Sequence, residues 1–445
     1  MRRLIHICVL LLMFTAVVRA QEGLNYKLVD SLSFRYYEEQ KWDSVIYLSK
    51  KAFRNDIDYY YLRMRAGIAY YEKHKYRKAA VHFKKAVMFN GPDDVNMEYL
   101  YFSYLFGGMK SEAKALTKKF SVNLKEKLGL DRYNLIDELY VEGGPTLGSN
   151  PQETQGNGMG NNNNTPALLR EEELTNDVRY FSFGLRHSLT KNISLFHAFS
   201  TVDIGKTQNI NVYQGYVVNK YRMFQRQYYA TLNFYLGNGF TLKPAFHFIN
   251  VNYDKLVYSF NTNNKLFLAQ QKFILNDFAV STILSKNISK FSFDLNAVMA
   301  SLNNSRILQG SGALTYFPLG NLNLYFTGSY TYHNDDMAAN NVYEIQVGGK
   351  IANKLWAEGF FTLGQLYNYV EKNAYITYNI TDKIMSRKGF SLKYVVNDNI
   401  EFSLYYHNLL KKNKLNVINP NNELIIRERN NFTNHSIIGG IKWTL

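Results

Sequence analysis

The chain has 445 residues, of which 46% are hydrophobic, 16% aromatic and 20% charged, a mix too polar for a bundle of membrane helices and too apolar for general disorder. Tyr (36) and Phe (30) far outnumber Trp (3), and 28 Gly stand beside 7 Pro, a balance suited to aromatic strands joined by Gly and Asn turns. The formal net charge is +16, but the basic residues are spread along the chain, so no nucleic-acid partner is expected and anionic lipid or polysaccharide is the expected counter-charge.

Arg2 and Arg3 precede an apolar run from Leu4 to Val18 that ends at Val18-Arg19-Ala20. Residues 1–20 therefore read as a secretory signal peptide, since fifteen apolar residues are short of the roughly 20 that a spanning helix needs. The single cysteine, Cys8, lies inside that run, which leaves the mature chain without disulfide or thiolate chemistry.

From residue 24 to about 125 the sequence repeats every 34 residues. Tyr36, Tyr70 and Tyr104 coincide, as do Val45, Ala79 and Ala113, and Ala52, Ala86 and Phe120. That is a period of helix-turn-helix units. The middle unit carries Gly67, Tyr70, Tyr76, Ala79, Phe83, Ala86 and Pro92, small residues where helices touch and large ones where they fill. These offsets resemble the tetratricopeptide repeat, which implies three stacked hairpins in a domain over 21–130 with a concave, partner-binding face. Arg63, Arg65 and Lys73 lie among Tyr59, Tyr60, Tyr61 and Tyr71 in this stretch. His74 and His82 lack a third ligand at suitable spacing, so no zinc site is expected.

From residue 136 to 445 the period changes to two. Phe181, Phe183 and Leu185 alternate with Ser182 and Gly184, and Phe291, Phe293 and Leu295 with Ser292 and Asp294; similar segments recur near 246, 324, 345 and 402. Short turns such as Gly237-Asn238-Gly239 and Asn353-Lys354 alternate with longer connections at 149–174, 205–221, 256–270, 334–340, 370–385 and 411–433. This is the wiring of an antiparallel transmembrane β-barrel, here with about 14 strands. An even count places both ends on one rim, so the repeats and short turns are expected on the periplasmic side and the Asn-rich loop 149–174 outside. Ile437, Gly439, Ile441, Trp443 and Leu445 share one strand face at the terminus, which looks like the signal read by the outer-membrane insertion machinery; Ile441, Trp443 and Leu445 are its core. The opposite set, led by Arg186, Lys243, His247, Asp294, Glu344, Glu358 and Glu401, is expected to face the lumen, either bracing it or lining a wet pore.

The pairs His187-Ser188 and His435-Ser436 point to opposite faces of a strand and do not by themselves form a nucleophile and base. Asn334-Asp335-Asp336 reads as a turn rather than a calcium site. No enzyme activity, cofactor or metal is expected.

Leader, repeats and barrel together resemble the YaiO-type outer-membrane β-barrel proteins with N-terminal tetratricopeptide repeats, and the same order is similar to exopolysaccharide export porins. The resemblance implies an α+β multidomain protein of the bacterial outer membrane with its N-terminal domain in the periplasm, in contact with outer-membrane lipid and lipopolysaccharide. Three functions follow in order: a non-catalytic anchor whose repeats bind a periplasmic protein, an export or uptake conduit for polysaccharide or small solutes, and a lipid- or lipopolysaccharide-modifying enzyme. The oligomeric state is open.

Overall fold

A computed structural model describes residues 24–130, 135–148, 167–212, 215–261, 266–336, 338–379, 382–421 and 423–445. The expected leader, 1–20, and residues 149–166 of the longest expected loop lie outside the described residues. The chain divides into two compact units, one of residues 24–108 with Lys119–Leu124, the other of Met109–Lys118 with Lys125–Leu445.

The first unit holds α1 (Tyr26–Glu38), α2 (Trp42–Phe53), α3 (Tyr60–Glu72), α4 (Tyr76–Asn90) and α5 (Asp94–Phe106). The Asn25 and Asp93 side chains accept the Leu28 and Asn96 backbone N–H groups and so start α1 and α5. The 34-residue period is visible in the backbone: Gln40, His74 and Gly108 all take left-handed φ values, 53°, 54° and 76°, at equivalent turns. His74 is thus a turn residue. Val45, Ala52, Ala79, Phe83 and Ala86 are fully buried, and Tyr70 nearly so. Gly67 is required by contact, because a Cβ there would sit 2.5 Å from the Phe83 ring. His82 stacks on Tyr70 at 5.1 Å and Phe53 at 5.6 Å with the Arg63 guanidinium 3.2 Å away, and burial depresses its pKa to about 4. Tyr36 and Tyr104 are half-buried.

Three repeats are expected within 21–130, and the helices of the third fall in different units. Its second helix, α6 (Lys110–Leu116), carries the buried Ala113 and belongs to the barrel unit; α7 (Val122–Lys127) follows, its residues up to Leu124 in the first unit and the rest in the second. The physical reason lies in α6's polar residues. Lys114 bonds Asp137 (3.1 Å) and Ser188, Ser111 receives a bond from Asn233 (3.1 Å), and Glu112 one from Asn287 (2.8 Å), all at the short-turn rim of the barrel.

The barrel strands are β1 (Ile136–Gly148), β2 (Leu169–Ser188), β3 (Ile193–Val212), β4 (Gly215–Gly237), β5 (Phe240–Phe260), β6 (Leu266–Ile288), β7 (Phe291–Leu302), β8 (Ser305–Tyr316), β9 (Leu324–Asp335), β10 (Ala339–Ala352), β11 (Leu355–Leu363), β14 (Lys383–Val395), β15 (Ile400–Ile418) and β16 (Leu424–Thr444). Each pairs antiparallel with its sequence neighbour, and β1 closes on β16 with Leu139 opposite Trp443. These are fourteen strands. The connections expected at 205–221, 256–270 and 411–433 are instead largely strand: β3 and β4 stay paired to Val212 and Gly215, and β5 and β6 to Phe260 and Leu266. Polar residues break the period-two signal there while the backbone pairing continues: consecutive β3 residues from Ile204 to Ile210 are buried, and Leu256, Tyr258, Phe260, Leu266 and Leu268 pack against Leu169, Ile210 and Ile418.

The outer face explains the membrane reading. Phe183, Phe199, Tyr228, Phe248 and Phe278 are exposed and stand in register across five strands as an aromatic girdle. Two residues further on, Thr201, Arg226, Asn250 and Asn276 form a polar row. From Phe240 at the short turn to Asn250 is ten residues, a band about 26 Å tall at roughly 3.4 Å per residue and 40° tilt, the height of a bilayer's apolar belt. Fourteen strands about 4.8 Å apart enclose a backbone cylinder about 28 Å across, which inward side chains narrow to a bore of roughly 16 Å. Wall side chains alone do not fill that space.

Candidate functional site

The bore is filled by the connection between β11 and β14. Residues 364–379, part of what is expected as a polar outer loop at 370–385, fold into the barrel and carry a small hairpin of β12 (Tyr369–Glu371) and β13 (Ile376–Tyr378). Its tip, Lys372-Asn373-Ala374, turns through three left-handed residues. Leu366, Asn368, Tyr369, Val370 and Ala374 are buried.

Interior residues from most of the wall hold this plug. The Tyr229 hydroxyl donates to the Asn373 carbonyl (3.1 Å), His247 Nδ1 to the Ala374 carbonyl (2.6 Å) and Ser281 to the Asn373 side chain (3.0 Å). Gln309 bonds both backbone polar groups of Val370, at 2.9 and 3.0 Å. Tyr369 reaches Thr331 (3.2 Å). On β1, Glu142 accepts three phenol hydroxyls, those of Tyr140, Tyr180 (2.7 Å) and the plug's Tyr375 (3.0 Å). Val370 and Ala374 complete an apolar cluster with Ile249, Val251, Ala279, Val298, Leu302 and Ile307.

Two buried charge groups clamp the arms of the plug. Arg387 on β14 pairs with Glu344 of β10 (2.6 Å) and the plug's Glu371, and donates to Tyr378 (3.0 Å). Asp382, at the exit, meets Lys411 of β15 (3.5 Å), accepts from Thr175 of β2 (3.1 Å) and lies in the field of buried Lys206. One cation sits between two anions in the first group and one anion between two cations in the second, so neither arm leaves a charge buried without an opposite partner.

The wall changes character along its axis. Towards the short turns, Lys243, Asp294, Asn296, Glu358 and Glu401 are half-exposed; at the plug and beyond, His247, Ile249, Ser281, Ala279 and Val298 are buried. The interior is therefore wet from the short-turn end up to the plug and packed from there outwards. Beyond the end of β1 the wall is tied again, where β2 pairs with β15 through Leu169 opposite Ile418.

Strand parity places every sequence-level lumen candidate on the inner face, but in different roles. His247 and Glu344 meet the plug or its clamp. Arg186 pairs with Glu138 (2.7 Å) over the Phe196 ring, Glu401 with Lys442 (2.8 Å), and Glu358 accepts from Tyr325 (2.6 Å), all nearer the short turns. Lys243 and Asp294 line the wet section. Ile441, Trp443 and Leu445 lie outward and about half-exposed. Sequence reasoning missed Tyr375, Glu371, Arg387, Asp382 and Lys411. A signal was present: Leu366, Tyr367, Tyr369, Val370, Tyr375, Ile376 and Tyr378 are far too apolar for a loop in water.

Elsewhere, His187 points out to His197 (3.0 Å) while Ser188 turns in to Lys114 and Asp137; His435 bonds Tyr406 (2.8 Å). Asp335 and Asp336 accept backbone N–H groups of Ala338 and Arg306. Among the described residues no group of three His, Cys, Asp or Glu is placed to hold a metal.

No protein-family model matches the chain, and no curated protein does. Solved structures to which it is similar include the Pseudomonas putida toluene transporter TodX, at 7% identity and TM-score 0.43 over 71% of this chain and 90% of that one, and a Pseudomonas aeruginosa FadL homologue, at 7% and 0.42 over 69% and 90%. The chain is also similar to MamA, at 27% identity and TM-score 0.20, over 23% of its own length and 59% of MamA's. The chain combines N-terminal helical hairpins with a closed fourteen-stranded antiparallel barrel.

Proposed function

We propose that this protein is an outer-membrane conduit for small solutes, closed at rest by residues 364–379. The observation that carries the reading is the plug itself. A barrel serving only as an anchor has no need of a bore roughly 16 Å wide, whereas here the bore is blocked by a segment held largely through polar contacts that water can replace. The wet section below the plug, with Lys243, Asp294 and Glu358, supplies the polar path of a solute channel rather than an apolar slide. Replacement of residues 366–379 by a short Gly-Ser linker tests it: the full-length variant in a planar bilayer is expected to conduct steadily where the wild-type protein opens only briefly. An equally silent variant refutes the conduit.

A second reading is an anchor role alongside transport, in which the repeats bind a periplasmic partner protein. It is supported by Phe34 and Tyr61, both exposed, with the Arg65 guanidinium 5.3 and 5.8 Å from their rings. Such a face suits an acidic or aromatic peptide. Pull-down of a defined periplasmic protein by wild type but not by Tyr61→Ala, Arg65→Ala supports that role, and equal capture removes it.

A further inference from the structure

We propose that the outward face of β2 to β4, just beyond the aromatic girdle, binds the phosphorylated head group of an outer-leaflet glycolipid. The proposal rests on the membrane orientation set out above, short turns inside and long strand extensions outside. The level is set by geometry: Leu236, near the short turn of β4, and Arg226 are ten residues apart, about 26 Å along the membrane normal, which puts Arg226 where the apolar belt ends. Arg179, Lys220, Arg222 and Arg226 are all outward and exposed there.

Among the described residues the ion pairs of these four cations involve two anions, Asp177 and Asp203. Arg222 holds Asp203 through two nitrogens at 2.7 Å and reaches Asp177 at 3.3 Å; Arg179 lies 3.6 Å from Asp177. The aspartates fix two guanidiniums side by side and leave other N–H donors directed at the surroundings. Among the described residues Arg226 and Lys220 make no ion pair, which leaves a local excess of positive charge. Gly205 makes the arrangement possible, since a Cβ there would lie 2.3 Å from the Asp177 carboxylate that crosses over it. Below, Phe199 and Tyr228 are exposed for acyl chains. Guanidiniums above, aromatic rings beneath and membrane level together fit a phosphate monoester carried on a lipid, as on a bisphosphorylated lipid A.

The test uses the purified full-length protein in detergent with bisphosphorylated lipid A as probe, binding being read by native mass spectrometry. Wild type is expected to retain the lipid, and Arg179→Ala with Arg226→Ala to weaken it by about tenfold or more, since one charge-assisted contact is worth at least that. Millimolar inorganic phosphate is expected to leave the lipid bound. Equal binding by the double variant, equal binding of lipid A stripped of its phosphates, or displacement by inorganic phosphate overturns the proposal. Both residues point away from the wall, so barrel folding, read from heat-modified gel mobility, is expected to be unchanged; loss of folding is bypassed by the milder Arg226→Gln. Surface labelling of a Val218→Cys variant in intact cells reads the orientation separately, so a failed site and a failed orientation give different results.

Discussion

Arg387 is the most exacting point at which to perturb the closed state. Its side chain is about 2% exposed and carries Glu344, Glu371 and the Tyr378 hydroxyl. Arg387→Ala leaves two carboxylates facing each other beside a phenol. Removal of one partner from a buried pair costs about 3–5 kcal/mol, and because Glu344 and Glu371 retain 21% and 11% exposure the lower end applies. Most of that cost is relieved when Glu371 leaves with the plug, so it acts on the open–closed balance rather than on the wall. About 3 kcal/mol raises the open population roughly a hundredfold, at 1.36 kcal/mol per factor of ten. Single-channel recording of the full-length protein reads this as open probability, with Glu371→Gln as the companion that removes the plug's side of the clamp. An open probability in Arg387→Ala equal to wild type, in a barrel that still conducts after removal of residues 366–379, refutes the clamp reasoning.

Loss of one phenol in Tyr375→Phe removes a bond to the Glu142 carboxylate worth about 1.5 kcal/mol, so openings are expected to rise about tenfold in the same recordings, while no change places the hold elsewhere. Gly67→Val drives a side chain into the Phe83 ring and is expected to destabilise the helical unit by about 2–3 kcal/mol, seen as faster hydrogen exchange in α3 and α4 with the barrel's exchange unaltered. His82 supplies a pH dependence. Its folded pKa of about 4 lies below the ordinary 6.5, so the unfolded chain binds the proton more readily and stability falls as pH drops from about 6.5 towards 4, by up to about 3 kcal/mol. Hydrogen exchange of α4 across that range is expected to accelerate in wild type and to lose the dependence in His82→Phe; an unchanged dependence contradicts the assignment.

Residues that repeat were legible in the sequence. Spacing of 34 located Gly67, Ala79 and Ala86, and alternation located the strands within the bilayer, because one face there must be apolar. Both signals depend on periodic burial. The outer part of β3 is buried without alternation, polar Lys206, Gln208 and Asn209 included, and outer residues of β5 and β6 pack against Ile210 and Ile418 from distant strands, so 205–221 and 256–270 read as loops. Ala113 keeps the repeat's spacing, but Ser111, Glu112 and Lys114 beside it answer to barrel partners more than a hundred residues away in several cases, which no local pattern records. The plug is the extreme instance. Tyr375 meets Glu142 and Tyr180 across more than 190 residues, and its segment has neither period, only an apolar content out of place for a surface loop.

In the proposed conduit the plug must move for solutes to pass. Ser281 Oγ and the Asn373 side chain are 3.0 Å apart, on the wall and the plug tip, and the chain's single cysteine is Cys8, far from both in sequence. A full-length Ser281→Cys, Asn373→Cys variant in liposomes, assayed by swelling in small sugars before and after reduction, tests whether plug movement is required. No swelling is expected while the disulfide is formed, and wild-type swelling once it is reduced. Equal swelling in both states would contradict that requirement.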